Sequence, residues 1–135
     1  MTVNDIQNAV RSHITSNQAG LLPVKWDDER IDHDDKPYLE VIISPDETDP
    51  AMIDGDLLIG VLLGNVYFRK GTGANYPTIE AQKFIDLFPR GTQNIGGLDI
   101  DITQTGTPLN PARDQQRPEW KYVSGLVRYD AASCL

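Results

Sequence analysis

Between Asp56 and Arg69 the chain reads Asp-Leu-Leu-Ile-Gly-Val-Leu-Leu-Gly-Asn-Val-Tyr-Phe-Arg, with apolar positions on both sides of a two-residue repeat. Leu57, Ile59, Val61 and Leu63 share one side, and Leu58, Gly60, Leu62, Gly64, Val66 and Phe68 share the other. A strand with one face in water alternates apolar and polar residues, so this one requires cover on both faces. Its length, with the breaks at Gly60 and Gly64, excludes a membrane-spanning helix. A chain of 135 residues has few elements to supply that cover. Either two helices pack on one face and a second sheet on the other, or a neighbouring subunit completes the job. The pattern points to assembly rather than to catalysis.

The remaining periodicities give two helices and several strands. Val3, Ile6, Val10 and Ile14 recur at three- and four-residue spacing, which predicts an amphipathic helix over residues 3–17, closed by Ala19-Gly20. Residues 23–26 form a short extended piece, followed by an acidic loop from Asp27 to Lys36. Residues 37–44 read as a strand ended by a turn at Pro45–Pro50, before the long strand. Gly71–Asn75 reads as a flexible joint. It leads into a second helix at Pro77, with Ala81, Phe84, Ile85 and Phe88 as its apolar stripe and Pro89-Arg-Gly91 as its stop. Leu98–Thr103 alternates strictly, a polar loop spans Gln104–Pro118, and Glu119–Tyr129 makes a last strand. No linker divides the chain, so residues 1–135 are expected to form one α+β domain: a mainly antiparallel sheet with two packed helices.

Charge narrows the partners. Twelve basic residues against 20 acidic ones give a net charge of −8. The average field therefore repels phosphate backbones, and Arg69-Lys70 is the only adjacent basic pair. The first residues, Met1–Asp5, lack a basic segment leading into an apolar one, so synthesis in the cytoplasm without a signal peptide is expected. The single cysteine, Cys134, excludes an internal disulfide and reads as an incidental thiol in a tail.

The candidate chemistries fail on spacing. A calcium loop needs oxygen ligands at positions 1, 3 and 5, but counting from Asp27 puts Ile31 at position 5, and counting from Asp32 puts Lys36 there. Gly71-Thr-Gly-Ala-Asn-Tyr76 begins like a dinucleotide loop, yet Tyr76 stands where its third glycine belongs, and no phosphate-binding Gly-Lys-Ser/Thr is present. His13 falls near the apolar face of the first helix, and His33 lies in the acidic loop. There is no nucleophile elbow. Asp99 and Asp101 share the wet side of a strand, as solubility alone would produce. No catalytic, metal-binding or cofactor-binding set is expected.

The whole pattern resembles the tail-terminator proteins of long-tailed bacteriophages. The similar features are the first helix around Ile6–Val10, Leu22–Trp26, the strand Lys36–Ile42, and the glycine-containing strand Ile59–Phe68. They continue through Gly71–Gly73 into Ala81–Phe88, and end with Trp120–Tyr129. This resemblance implies a non-enzymatic virion protein, a homo-oligomeric ring and probable hexamer at the head-proximal end of the tail tube. Such a ring stops tube polymerisation, offers a surface to the head-completion protein, and lets DNA pass without specific binding. No cofactor and no membrane are implied. Ring subunits would hide sheet surface against one another, with Leu58, Leu62, Val66 and Phe68 as the candidate subunit interface. Polar loops Pro45–Gly55 and Gln104–Pro118 are the expected recognition elements, and Arg69, Lys70, Arg113 and Arg117 the candidate protein contacts. Two alternatives stay open: a head–tail connector or neck completion protein, and a small cytoplasmic enzyme or ligand-binding domain.

Overall fold

The computed structural model describes residues 2–26, 37–52, 55–69, 75–109, 111–113 and 119–134. The expected acidic loop Asp27–Lys36, with His33, and the glycine segment 71–74 lie outside these residues.

Helix α1 (Val3–Ser16) starts where the sequence supplies a reciprocal cap. The Asp5 backbone N–H donates to Thr2 Oγ1 at 3.2 Å, and the Thr2 backbone N–H donates to Asp5 Oδ2 at 2.7 Å. That second bond, made to the charged carboxylate, holds Asp5 below its ordinary pKa. The buried stripe is Ile6, Ala9, Val10 and Ile14, so the three- and four-residue spacing marks the packed face correctly. A short 3-10 turn, Gln18–Gly20, follows. Helix α2 (Asn75–Asp86) includes Pro77 in its first turn, where a missing N–H costs nothing. It closes by tighter bonds from Leu87 N–H to the Phe84 carbonyl and from Phe88 N–H to that of Ile85, which keeps Phe88 in the core.

Seven strands form one sheet: β1 (Val24–Trp26), β2 (Tyr38–Met52), β3 (Gly55–Arg69), β4 (Gly91–Ile95), β5 (Leu98–Thr105), β6 (Ala112–Arg113) and β7 (Trp120–Cys134). Their order is β1-β2-β3-β7-β5-β4, with β6 beside β7. Only β1 and β2 run parallel; the other pairings are antiparallel. The architecture is α+β, with a mixed sheet that is mainly antiparallel.

Three expectations are corrected here. The turn at Pro45–Pro50 is strand: β2 runs on to Met52, with register shifts at Pro45/Glu47 and Asp49/Met52. Bulges at those points accommodate prolines, which have no N–H to give the ladder. Strand β4 had no counterpart in the sequence reading, although Gly96-Gly97, both at positive φ, makes the two-residue turn that joins it to β5. Cys134 is the last residue of β7 and pairs with Gly55 rather than lying in a tail.

Both helices pack on one face of the sheet, that of Leu39, Val41, Leu62, Val66, Phe68, Val123, Val127 and Tyr129, all buried in one apolar cluster with Phe84, Phe88, Ile6 and Ile14. The close approach rests on Gly64 and Gly125, which are register partners on β3 and β7. A Cβ on Gly64 would clash with the Phe84 ring, and one on Gly125 would lie 3.0 Å from Ile85 and 3.1 Å from the Ala81 carbonyl oxygen. Phe84→Ala should therefore cost about 3–5 kcal/mol in urea unfolding. Gly64→Ala should cost about 1–3 kcal/mol in the parent by driving the ring away. In the Phe84→Ala background the same change should cost distinctly less, since the ring it strikes is gone. Additive losses would mean that Gly64 and Phe84 do not share this contact.

Candidate protein-contact surface

The β3 pattern required cover on both sides, and the helices cover one. Leu58, Leu62, Val66 and Phe68, expected at a subunit interface, stand on the helix side and are 8%, 1%, 0% and 3% exposed. They form this chain's own core and are not available to a neighbour. The physical reason is the glycines: Gly60, Gly64 and Gly125 all open on that side, and a helix approaches a sheet where backbone is bare.

The opposite face carries ordered rows across the strands. At one end Tyr38, Tyr67 and Tyr122 stand in register, with Tyr38 and Tyr67 stacked at 4.9 Å, Tyr67 and Tyr122 at 5.3 Å, and Trp120 at 5.8 Å from Tyr38. Next come Glu40, Asn65 and Ser124. Lys25 Nζ donates to Glu40 Oε2 at 2.9 Å, the Tyr67 hydroxyl donates to Glu40 Oε1 at 3.3 Å, and Ser124 Oγ donates to Asn65 Oδ1 at 2.6 Å. The following row is Ile42, Leu63 and Leu126, all half-buried. Beyond it lie Val61 beside Arg128, and then Ile59, Asp130 and Asp101. Among the described residues, no helix packs on this face.

Its electrostatics are uneven. Asp130 and Asp101 stand directly opposite each other on β7 and β5. Burial, and then the neighbouring Asp101 charge, push the Asp130 carboxyl above its ordinary range. Arg128 is exposed one row away, and among the described residues it forms no ion pair.

The basic candidates are dispersed. Arg69 ends β3 and pairs with Glu119, the residue before β7, an exposed pair of small energetic value. Arg113 is in β6, in register with Lys121. Lys70 and Arg117 lie outside the described residues. Within the expected loop Gln104–Pro118, Gln104 and Thr105 end β5, and other described residues bond to β7. Gly106 N–H donates to the Leu126 carbonyl at 3.4 Å, Leu109 N–H donates to that of Ser124 at 2.8 Å, and Ala112–Arg113 pair with β7.

Nothing in the described residues assembles chemistry. No group of three or more metal-ligating side chains is present among them. His13 packs its ring 5.3 Å from Phe88 and sets Nε2 2.8 Å from the Leu87 carbonyl oxygen, tying α1 to the end of α2. A shallow cleft of about 340 Å³ lies at those helix ends, lined by Asn17, Gly20, Leu21, Lys83, Asp86 and Leu87. Its charged residues sit on an open rim, without convergent buried polar groups. No helix among the described residues is long and apolar enough to cross a membrane.

No protein-family model matches the chain, and no curated protein does. A solved structure superposes with a TM-score of 0.63 at 21% sequence identity, covering 96% of this chain and 90% of its own. That likeness shows a shared fold.

The facing carboxylates generate a prediction. Because folding raises the Asp130 pKa, the penalty is full above the raised value and vanishes as pH falls below the ordinary 3.8. Asp101→Asn should thus stabilise the protein at pH 7 by about 0.2–1 kcal/mol, a cross-strand pair effect. The gain should disappear in thermal or urea unfolding near pH 3.

Proposed function

We propose that this chain is a structural protein of a phage virion that forms a ring on the head-proximal end of the tail tube. There it ends tube polymerisation and presents the surface to which the head joins. The observation that carries this reading is the sheet with one face closed by helices and the other left as ordered apolar and charged rows. A protein of that build recognises a surface and needs no reacting group. The resemblance of the helix-strand-helix-strand pattern to tail terminators gives the surface its partners: neighbouring copies, the tube protein and the head-completion protein. A hexamer matches a ring of copies of one chain, each of 15.0 kDa. The acidic balance of −8 suits a bore that DNA traverses without being held.

The uncovered face assigns contact residues that differ from the first candidates. Ile59, Val61, Leu63 and Leu126 replace Leu58, Leu62, Val66 and Phe68 as the apolar contact set. Val61→Glu, on the half-buried open face, should leave the chain folded and abolish its incorporation into particles.

Deleting the gene should give headless tails of abnormal length built of normal tube subunits, seen by electron microscopy. Tails of normal, uniform length that fail to join heads would instead identify a neck protein. Fully infectious particles would reject both virion roles.

A further inference from the structure

We infer that, off the tail, a second copy of this chain closes the sheet face that no described helix covers, through a two-fold, face-to-face contact in which Arg128 of each copy meets Asp130 of the other. The inference takes this face to be the assembly surface, as the proposed function does, and names what occupies it in the free protein.

The register supplies the argument. On β3 and β7, Val61 stands beside Arg128, and two residues along the same face Ile59 stands beside Asp130. A two-fold axis lying in the contact plane and crossing the strands between these rows exchanges them. Each Arg128 then faces the partner's Asp130, and each Val61 faces the partner's Ile59. Leu63 and Leu126 extend the apolar contact next to this centre. Face-to-face sheets pack about 10 Å apart with their strands roughly aligned, a spacing that side chains of this size fill.

The charges are complementary to themselves under that operation and under few others. Asp130 faces a like charge, Asp101, within its own sheet, and among the described residues neither carboxylate forms an ion pair. Arg128 is exposed and, among the described residues, forms no ion pair within its own chain. A sliding or parallel stacking would set Arg128 on Arg128 or carboxylate on carboxylate, which selects against those arrangements. The covered pair gains more than a surface pair, since the apolar rows exclude water around it.

The test is analytical ultracentrifugation of the purified chain. The parent should sediment as a dimer that weakens with added salt. Arg128→Asp sets carboxylates against carboxylates, and Asp130→Arg sets guanidinium against guanidinium, each at two symmetric places. Either variant alone should lose affinity by roughly 100-fold or more, taking about tenfold per broken pair. An equimolar mixture of the two should restore the dimer, because each position then meets its opposite charge. This recovery also shows that both variants are folded. A parent that is monomeric at all concentrations, or a hexamer in free solution, overturns the inference. So do single variants that still dimerise, or a mixture that stays monomeric. A dimer found in a protein whose deletion leaves particles infectious would sink the tail reading alone, and abnormal tails with a monomeric protein would sink the dimer alone.

Discussion

The contact of α2 with the bare backbone of Gly64 and Gly125 is the constraint on which the rest of the structure depends. These residues lie far apart in sequence but become register partners at the centre of the sheet, where together they leave a shallow trough. Phe84 fills the β3 side of it, and Ala81 and Ile85 lie over the β7 side. Seating the helix this deep brings Phe88 to the end of α1, where His13 meets both its ring and the Leu87 carbonyl. One turn nearer its N-terminus, α1 meets the β4–β5 turn: a Cβ on Gly96 would strike the Ala9 backbone. Gly96 also has φ of 57°, so it answers to conformation and to space at once. Two helices and two pairs of strands are thus locked by residues chosen for what they lack.

The same glycines decide which side of the long strands is closed. Gly60, too, opens on the helix side, and the Tyr129 ring from the neighbouring strand occupies its space. The other side of β3 and β7 has side chains at every described position, and these sort into aromatic, polar, apolar and charged rows. Tyr38, Trp120, Asn65 and Ser124 on that side are buried, whereas Ile42, Leu63 and Leu126 are half-buried and Arg128 and Asp101 exposed.

Much of this was legible in the sequence, and the failures have physical causes. The three- and four-residue stripes found both helices and their buried residues, since helix periodicity is a local property. The apolar character of both sides of β3 was legible for the same reason. The side that faced the helices was not inferred, although the glycines carried the signal. The apolar pattern of Leu58, Leu62, Val66 and Phe68 fits a subunit interface and a helix-covered core equally well, and only the bare backbone of Gly60 and Gly64 beside them distinguishes the two. Strand β2 was cut short at Pro45 because proline usually ends a central strand; pairing through bulges carried it further. Arg128 and Asp130 could not be singled out, because their meaning lies in cross-strand register with Val61, Ile59 and Asp101. Register joins residues that are distant along the chain, and no local pattern encodes it.

The charged end of the sheet face opposite the helices has a distinct electrostatic character. A reacting site needs groups whose environments push their proton affinities apart, set around a cleft. Here the perturbed carboxyl on the sheet, Asp130, stands in register with Ile59 and Asp101, and its perturbation comes from burial and a like charge. Opposite a cation on another protein it becomes an orienting contact, since relief of the repulsion with Asp101 is gained only in one register. Apolar rows give an interface its area, and an unrelieved charge beside them gives it direction. That division of labour is what a protein needs if its task is to fit one surface against another.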